Sequence, residues 1–188
     1  QSALADYTKA ISLQKDNPHR YRSRANCYLK MKNYSLSLAD YTNAVDFAPN
    51  DATHYNNRAD LYRKQEKNDE ALKDYAKAIE ISTDDWKTTR ALNNRALIYW
   101  KQGKPELEIE AYTDAIAIST NNPLYYSNRA KSHQKLEDYE NALIDYNHLV
   151  DNNPQNVQYL LDRSACLDEM QKFDLAINDL NKVLRIDS

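Results

Sequence analysis

The sequence contains one glycine among 188 residues. Tight turns and strand bulges repeatedly need a positive φ, so this scarcity excludes a β-rich or loop-rich fold. It also leaves no room for a P-loop, a GxGxxG turn or a GxSxG elbow, and with them go the common nucleotide-binding and hydrolase classes. Cysteine is nearly as scarce. Cys27 and Cys166 stand far apart, which gives neither a disulfide framework nor zinc spacing and reads as two buried thiols. His19, His54, His133 and His148 likewise show no metal-ligand spacing, so neither a metal nor a cofactor is expected. No apolar run approaches the roughly 20 residues of a membrane span. No signal segment is visible, which favours a cytoplasmic location, although the chain begins with Gln1 and not Met, as an excised piece would. A formal net charge of −3 supplies no pull toward nucleic acid or anionic membrane.

Tyrosine, by contrast, is abundant at 15 residues, and it recurs with a period. A short Arg-small pair appears at Arg24-Ala25, Arg58-Ala59, Arg95-Ala96, Arg129-Ala130 and Arg163-Ser164, at steps of 34, 37, 34 and 34 residues. The longer step holds a three-residue insertion at Trp86-Lys87-Thr88. About sixteen residues after each Arg comes a second signature, Asp40-Tyr41, Asp74-Tyr75, Ala111-Tyr112, Asp145-Tyr146 and Asp179-Leu180. Asp6-Tyr7 already matches it. The organisation is one array over 1–188: the second half of a repeat over 1–17, then repeats over 18–51, 52–85, 89–122, 123–156 and 157–188, with 86–88 inserted.

Each repeat reads as two amphipathic helices. Tyr55, Ala59 and Tyr62 share one helical face, and Ala71, Tyr75, Ala78 and Ile79 share another. Pro49-Asn50-Asp51 and Pro154-Gln155-Asn156 stop one helix and cap the next. Gly103 follows a first helix, where a left-handed residue is wanted. A helix pair this short cannot bury its own apolar face, but stacked pairs can. The expected fold class is therefore all-α, a right-handed superhelical solenoid of antiparallel helix pairs with an inner groove.

These residues resemble the tetratricopeptide repeat family. The match runs through the aromatics Tyr21, Tyr55 and Tyr126 and the small residues Ala25, Ala59, Ala96 and Ala130. Tyr28, Tyr62 and Tyr99 follow, then the second-helix alanines Ala71, Ala142 and Ala176 and Ala44, Ala78 and Ala115, closed by Pro49 and Pro154. The resemblance implies no enzyme but protein–protein recognition, usually of an extended peptide or a helix along the groove.

The family pattern usually has an apolar residue where Arg24, Arg58, Arg95, Arg129 and Arg163 stand. An unpaired charge between packed helices is costly, so these arginines need partners. Asp6, Asp40, Asp74, Asp145 and Asp179 are the matching supply, and an Arg–Asp ladder is expected within or between repeats. Where Ala111 breaks it, Glu108, one turn away, is expected to reach Arg95 or Arg129.

First helices line the groove of such a superhelix. Its candidate ligand-binding residues are Arg22 and Asn26 in the first full repeat, and Asn57, Arg63 and Lys64 in the second. Arg90, Asn94, Trp100 and Lys101 follow in the third, and Asn128 and Lys131 in the fourth. That surface is basic on an acidic chain, and reverses sign at Asp162, Asp168 and Glu169. Asn57, Asn94 and Asn128 share one slot, and a row of amides can pair with a peptide backbone whatever its sequence. Arg22, Asn26, Asn57, Arg90 and Asn94 resemble the carboxylate clamp of co-chaperone repeats, with two arginines where that clamp has lysines and Asn94 where it has a further basic residue. The expected partner is thus another protein, presenting an acidic or extended segment, with no nucleic acid and no membrane span. Trp86 is expected either at the groove edge or tucked against a neighbouring repeat. Two alternatives are a targeting arm of a larger enzyme or receptor, and self-association through uncapped solenoid ends.

Overall fold

A computed structural model describes residues 2–186, and among these every regular element is helical. In chain order they are α1 (Ser2–Leu13), α2 (Pro18–Lys30), α3 (Tyr34–Phe47), α4 (Ala52–Lys64), α5 (Asn68–Ile81), α6 (Asp85–Lys101), α7 (Pro105–Ile118), α8 (Pro123–Lys135), α9 (Tyr139–Asn152), α10 (Val157–Glu169) and α11 (Phe173–Ile186). The chain forms two compact units, Gln1–Ile98 and Tyr99–Ser188.

Local chemistry sets the helix ends. Asn17, Asn33, Asp51, Asn122, Asp138 and Asn156 accept backbone N–H bonds as N-caps, and Pro18, Pro105 and Pro123 stand in first turns, where a missing N–H costs nothing. Between the helices of a pair, the chain turns through a left-handed residue at Lys32, Glu66, Gly103, Glu137 and Gln171, with φ from 58° to 64°. The following N–H closes each turn onto the last turn of the first helix, as in Asn33 N–H to the Tyr28 carbonyl at 2.9 Å. Glycine is the unstrained choice there, yet four of the five turns use another residue.

In unit one, the core between pairs is small-residue contact sealed by tyrosine. Ala52, Ala59, Ala71, Tyr75, Ala78, Ala91 and Ile98 cluster, as do Ala25, Tyr41 and Leu61. In unit two, Ala130, Ala142, Tyr146, Leu149 and Cys166 play the same part, while Val150, Leu160 and Val183 form a further cluster. Cys166 is buried, which pushes its thiol up to about 11, whereas Cys27 is only half-buried.

Arginine and aspartate pair within four of the five full repeats; in the remaining one Ala111 stands in the aspartate slot. Arg24 grips Asp40 by two bonds of 2.7 and 2.8 Å, and Arg58–Asp74 and Arg163–Asp179 repeat those lengths. Arg129–Asp145 does so at 2.9 and 2.7 Å. The aspartates are buried, and the two-pronged geometry is the one that offsets their desolvation. A remaining guanidinium N–H reaches back to the preceding second helix, at Thr113 from Arg129 and at Asn147 from Arg163. One expectation is corrected: Asp6 is exposed and makes no ion pair among the described residues. Of the two arginines expected for Glu108, Arg129 is held by Asp145; Glu108 is buried and lies 3.6 Å from Lys135.

Candidate functional site

The exposed faces of the first helices are described unit by unit. In unit one the centre is Asp60 on α4, half-buried between α4 and α6. Its carboxylate accepts from Tyr75 at 2.5 Å, from Asn94 at 2.9 Å and from Arg90. Arg90 and Asn94, expected to meet a ligand, are thus committed to an internal acid. Burial first, and then Asp60, raises the Tyr75 hydroxyl far above the usual tyrosine range, so it remains a donor. Asn26 is engaged in a comparable way, accepting from the Tyr41 hydroxyl at 2.5 Å, though its side chain is exposed.

The other cations of this face have no acid. Among the described residues, Arg22, Arg63 and Lys64 make no ion pair; Lys64 sits 6.0 Å from the Tyr34 ring centroid, and the Arg63 Nε–H is buried without a hydrogen-bond acceptor. Asn57 makes no side-chain hydrogen bond there either. Trp86 is 66% exposed, with the Arg90 guanidinium 5.7 Å from its ring, so it belongs to the surface rather than to the interior. The insertion that carries it lengthens α6 to 17 residues against 13 for α4, with Asp84 accepting from the N–H groups of Trp86 and Lys87.

In unit two Lys131 and Lys135 find acidic partners, while Lys101 makes no ion pair among the described residues. Lys131 lies 3.6 Å from Asp162, and Lys135 lies between Glu108 and the Trp100 ring at 5.6 Å. Trp100 is 53% exposed and Lys101 beside it is exposed. Asn128 donates to the Tyr112 hydroxyl at 3.0 Å. His133, in a slot held by tyrosine in earlier repeats, holds Asp138 at 2.9 Å across its turn.

One cluster escaped the sequence reading. His19, Asp51 and His54 bring one ligating atom each within 4.8 Å of one another. The two histidines lie on successive first helices, 35 residues apart, so their spacing in sequence is close to a repeat period and is not a ligand spacing.

Tetratricopeptide repeat models match residues 50–121 and 124–156. The chain belongs to the tetratricopeptide repeat family. It resembles solved structures along most of its length. The C-terminal part of a tetratricopeptide repeat-containing protein from Cytophaga hutchinsonii gives a TM-score of 0.84 at 16% identity, over 97% of this chain and 72% of that one. YrrB, described as a tetratricopeptide protein with an unusual peptide-binding site, gives 0.75 at 18% identity over 96% and 91%, and MamA gives 0.76 at 14% over 90% and 91%. At such identities the likeness establishes the fold alone, an all-α solenoid of helix pairs. In sequence, 61 residues are 33% identical to stress-induced-phosphoprotein 1 of Caenorhabditis elegans, covering 32% of this chain and 19% of that protein. Tetratricopeptide proteins bind other proteins or peptides and are generally scaffolds without catalysis, and this chain is a protein–protein interaction scaffold of that family. No described helix is long and apolar enough to cross a membrane.

Proposed function

We propose that the first-helix face of unit one binds an acidic, extended segment of a partner protein. The observation that supports this is the contrast within one face: Arg90 is neutralised by Asp60, while Arg22, Arg63 and Lys64 carry charge with no internal acid. Asn26 and Asn57 lie among these cations and offer amide groups to a peptide backbone. In unit two, Trp100, Lys101, Asn128 and Lys131 form a second surface of different character, an exposed ring with an adjoining cation.

The test is a titration of a labelled Asp/Glu-rich peptide at low and high salt. Binding should weaken as salt screens the charges, and Arg63→Glu with Lys64→Glu should lower affinity about tenfold or more, about 1.4 kcal/mol. Affinity indifferent to that reversal removes the proposal.

Self-association is a second reading, favoured by α11. Phe173, Ile177 and Leu184 are each more than half exposed there, and Leu180 is 42% exposed. Light scattering should then show growth with concentration that Leu180→Asp suppresses.

A further inference from the structure

We propose that His19, Asp51 and His54 form a binding site for one zinc-type divalent ion, tying α2 to α4 in unit one. The supporting observation is His54. It is wholly buried, yet neither ring nitrogen has a hydrogen-bond partner among the described residues. A buried imidazole normally satisfies at least one of them, and an ion at this point would give His54 a partner that the neighbouring side chains do not. Its Nε2 faces a carboxylate oxygen of Asp51 at 3.6 Å, too far for a hydrogen bond. Two ligands on a tetrahedral zinc ion are about 3.4 Å apart, so this edge has nearly the required length already.

Asp51 is positioned for the second role because its first is taken by the other oxygen. That oxygen accepts the Thr53 N–H at 2.8 Å as the α4 N-cap, which fixes the side chain. His19 on the first turn of α2 is exposed, its ring centroid 5.7 Å from that of His54. An ion can therefore enter from solvent beneath His19, whose free side chain needs only a small swing to close the triangle. A fourth position is left for water. The set of two imidazoles and one carboxylate suits zinc and its neighbours in the transition series, not calcium or magnesium, which want oxygen. Arg22 and Lys87 also bear on His54 and repel a cation, while Asp51 opposes them.

The experiment titrates Zn²⁺ into the tag-free chain, with calorimetry and thermal unfolding as readouts. One equivalent should bind, and a hundredfold excess over Kd should raise Tm by about 5 °C or more. Co²⁺ in place of Zn²⁺ should give the visible absorption of a tetrahedral site. His19→Ala should abolish the thermal response while leaving the metal-free Tm in place, since that side chain is exposed. Asp51→Asn keeps the helix cap and should weaken binding about tenfold or more. His148→Ala in unit two should bind as the parent does. A flat isotherm, a zinc response that survives His19→Ala, or an equal response to Mg²⁺ each overturns the site.

Discussion

Unit one and unit two are held by the same device and differ in what they do with the charges left over. Both bury aspartates under two-pronged arginines that also lie against tyrosine rings, as Arg58 does on Tyr55 and Arg129 on Tyr126, each at 5.8 Å. On the first-helix face the units part. Unit two answers Lys131 and Lys135 with Asp162 and Glu108, whereas unit one answers Arg90 and, among the described residues, leaves Arg22, Arg63 and Lys64 without an ion pair. Periodic charge in a repeat protein is thus mostly structural. The informative charge is the one that fails to find its partner.

The shared half of this comparison carries the largest expected effect. Asp74→Ala in unit one and Asp145→Ala in unit two each strand a guanidinium between packed helices, and each should cost about 3–5 kcal/mol. Asp145 is only 1% exposed against 7% for Asp74, so unit two should suffer at least as much. Denaturant unfolding checks the total, and hydrogen exchange shows which unit opens. A loss below about 1 kcal/mol would reduce these pairs to surface ion pairs.

A second difference is confined to unit one. Burial lowers His54 from 6.5 to about 4, against the opposing pull of Asp51 and with Arg22, His19 and Lys87 adding to it. Between those values the unfolded chain binds the proton and the folded one does not, so stability is present above 6.5 and declines as pH falls through the window. From 6.5 to about 5 the decline should be about 2 kcal/mol. His54→Gln should flatten it, as read by urea midpoints at each pH. Unit two has buried Tyr125 in the equivalent slot and should be insensitive there.

The binding contrast is next in size. If the unanswered cations attract the ligand, Lys131→Glu with Lys135→Glu, which reverses cations that already have acids, should cost no more than about threefold, beside the tenfold expected of Arg63 and Lys64. Asp60→Asn should move the other way. It frees Arg90 and removes a competing carboxylate, so an acidic peptide should bind about threefold tighter. Equal losses from both reversals would erase the distinction between the units.

The fold was legible because its causes are local and repeat. Period, caps and the Arg–Asp spacing of sixteen are all visible in a string of letters. What stayed hidden depends on which neighbour a long side chain selects. Glu108 and Asp60 each had several cations within plausible reach, and only packing assigned Lys135 to one and Arg90 to the other. The His19–Asp51–His54 cluster joins successive repeats, and a search for ligand spacing within one helix passes over it. The four non-glycine residues at positive φ were hidden for another reason: closing hydrogen bonds hold them where propensity alone would place glycine.

The row of amides offers the finest division. Asn57, Asn94 and Asn128 occupy one slot, and sequence made them equivalent. The structure gives Asn94 to a carboxylate, Asn128 to a neutral hydroxyl and Asn57 to no side-chain hydrogen bond among the described residues. A hydrogen bond to a charged group contributes more than a neutral one, so Asn94→Ala should cost about 2 kcal/mol and Asn128→Ala about 1. Asn57→Ala should leave stability within about 0.5 kcal/mol and act on peptide affinity instead. Unfolding and binding measured on the same three variants separate the two roles. Should Asn57→Ala destabilise the chain as Asn94→Ala does and leave binding untouched, the amides are stitches in every repeat, and the peptide must be held by the cations alone.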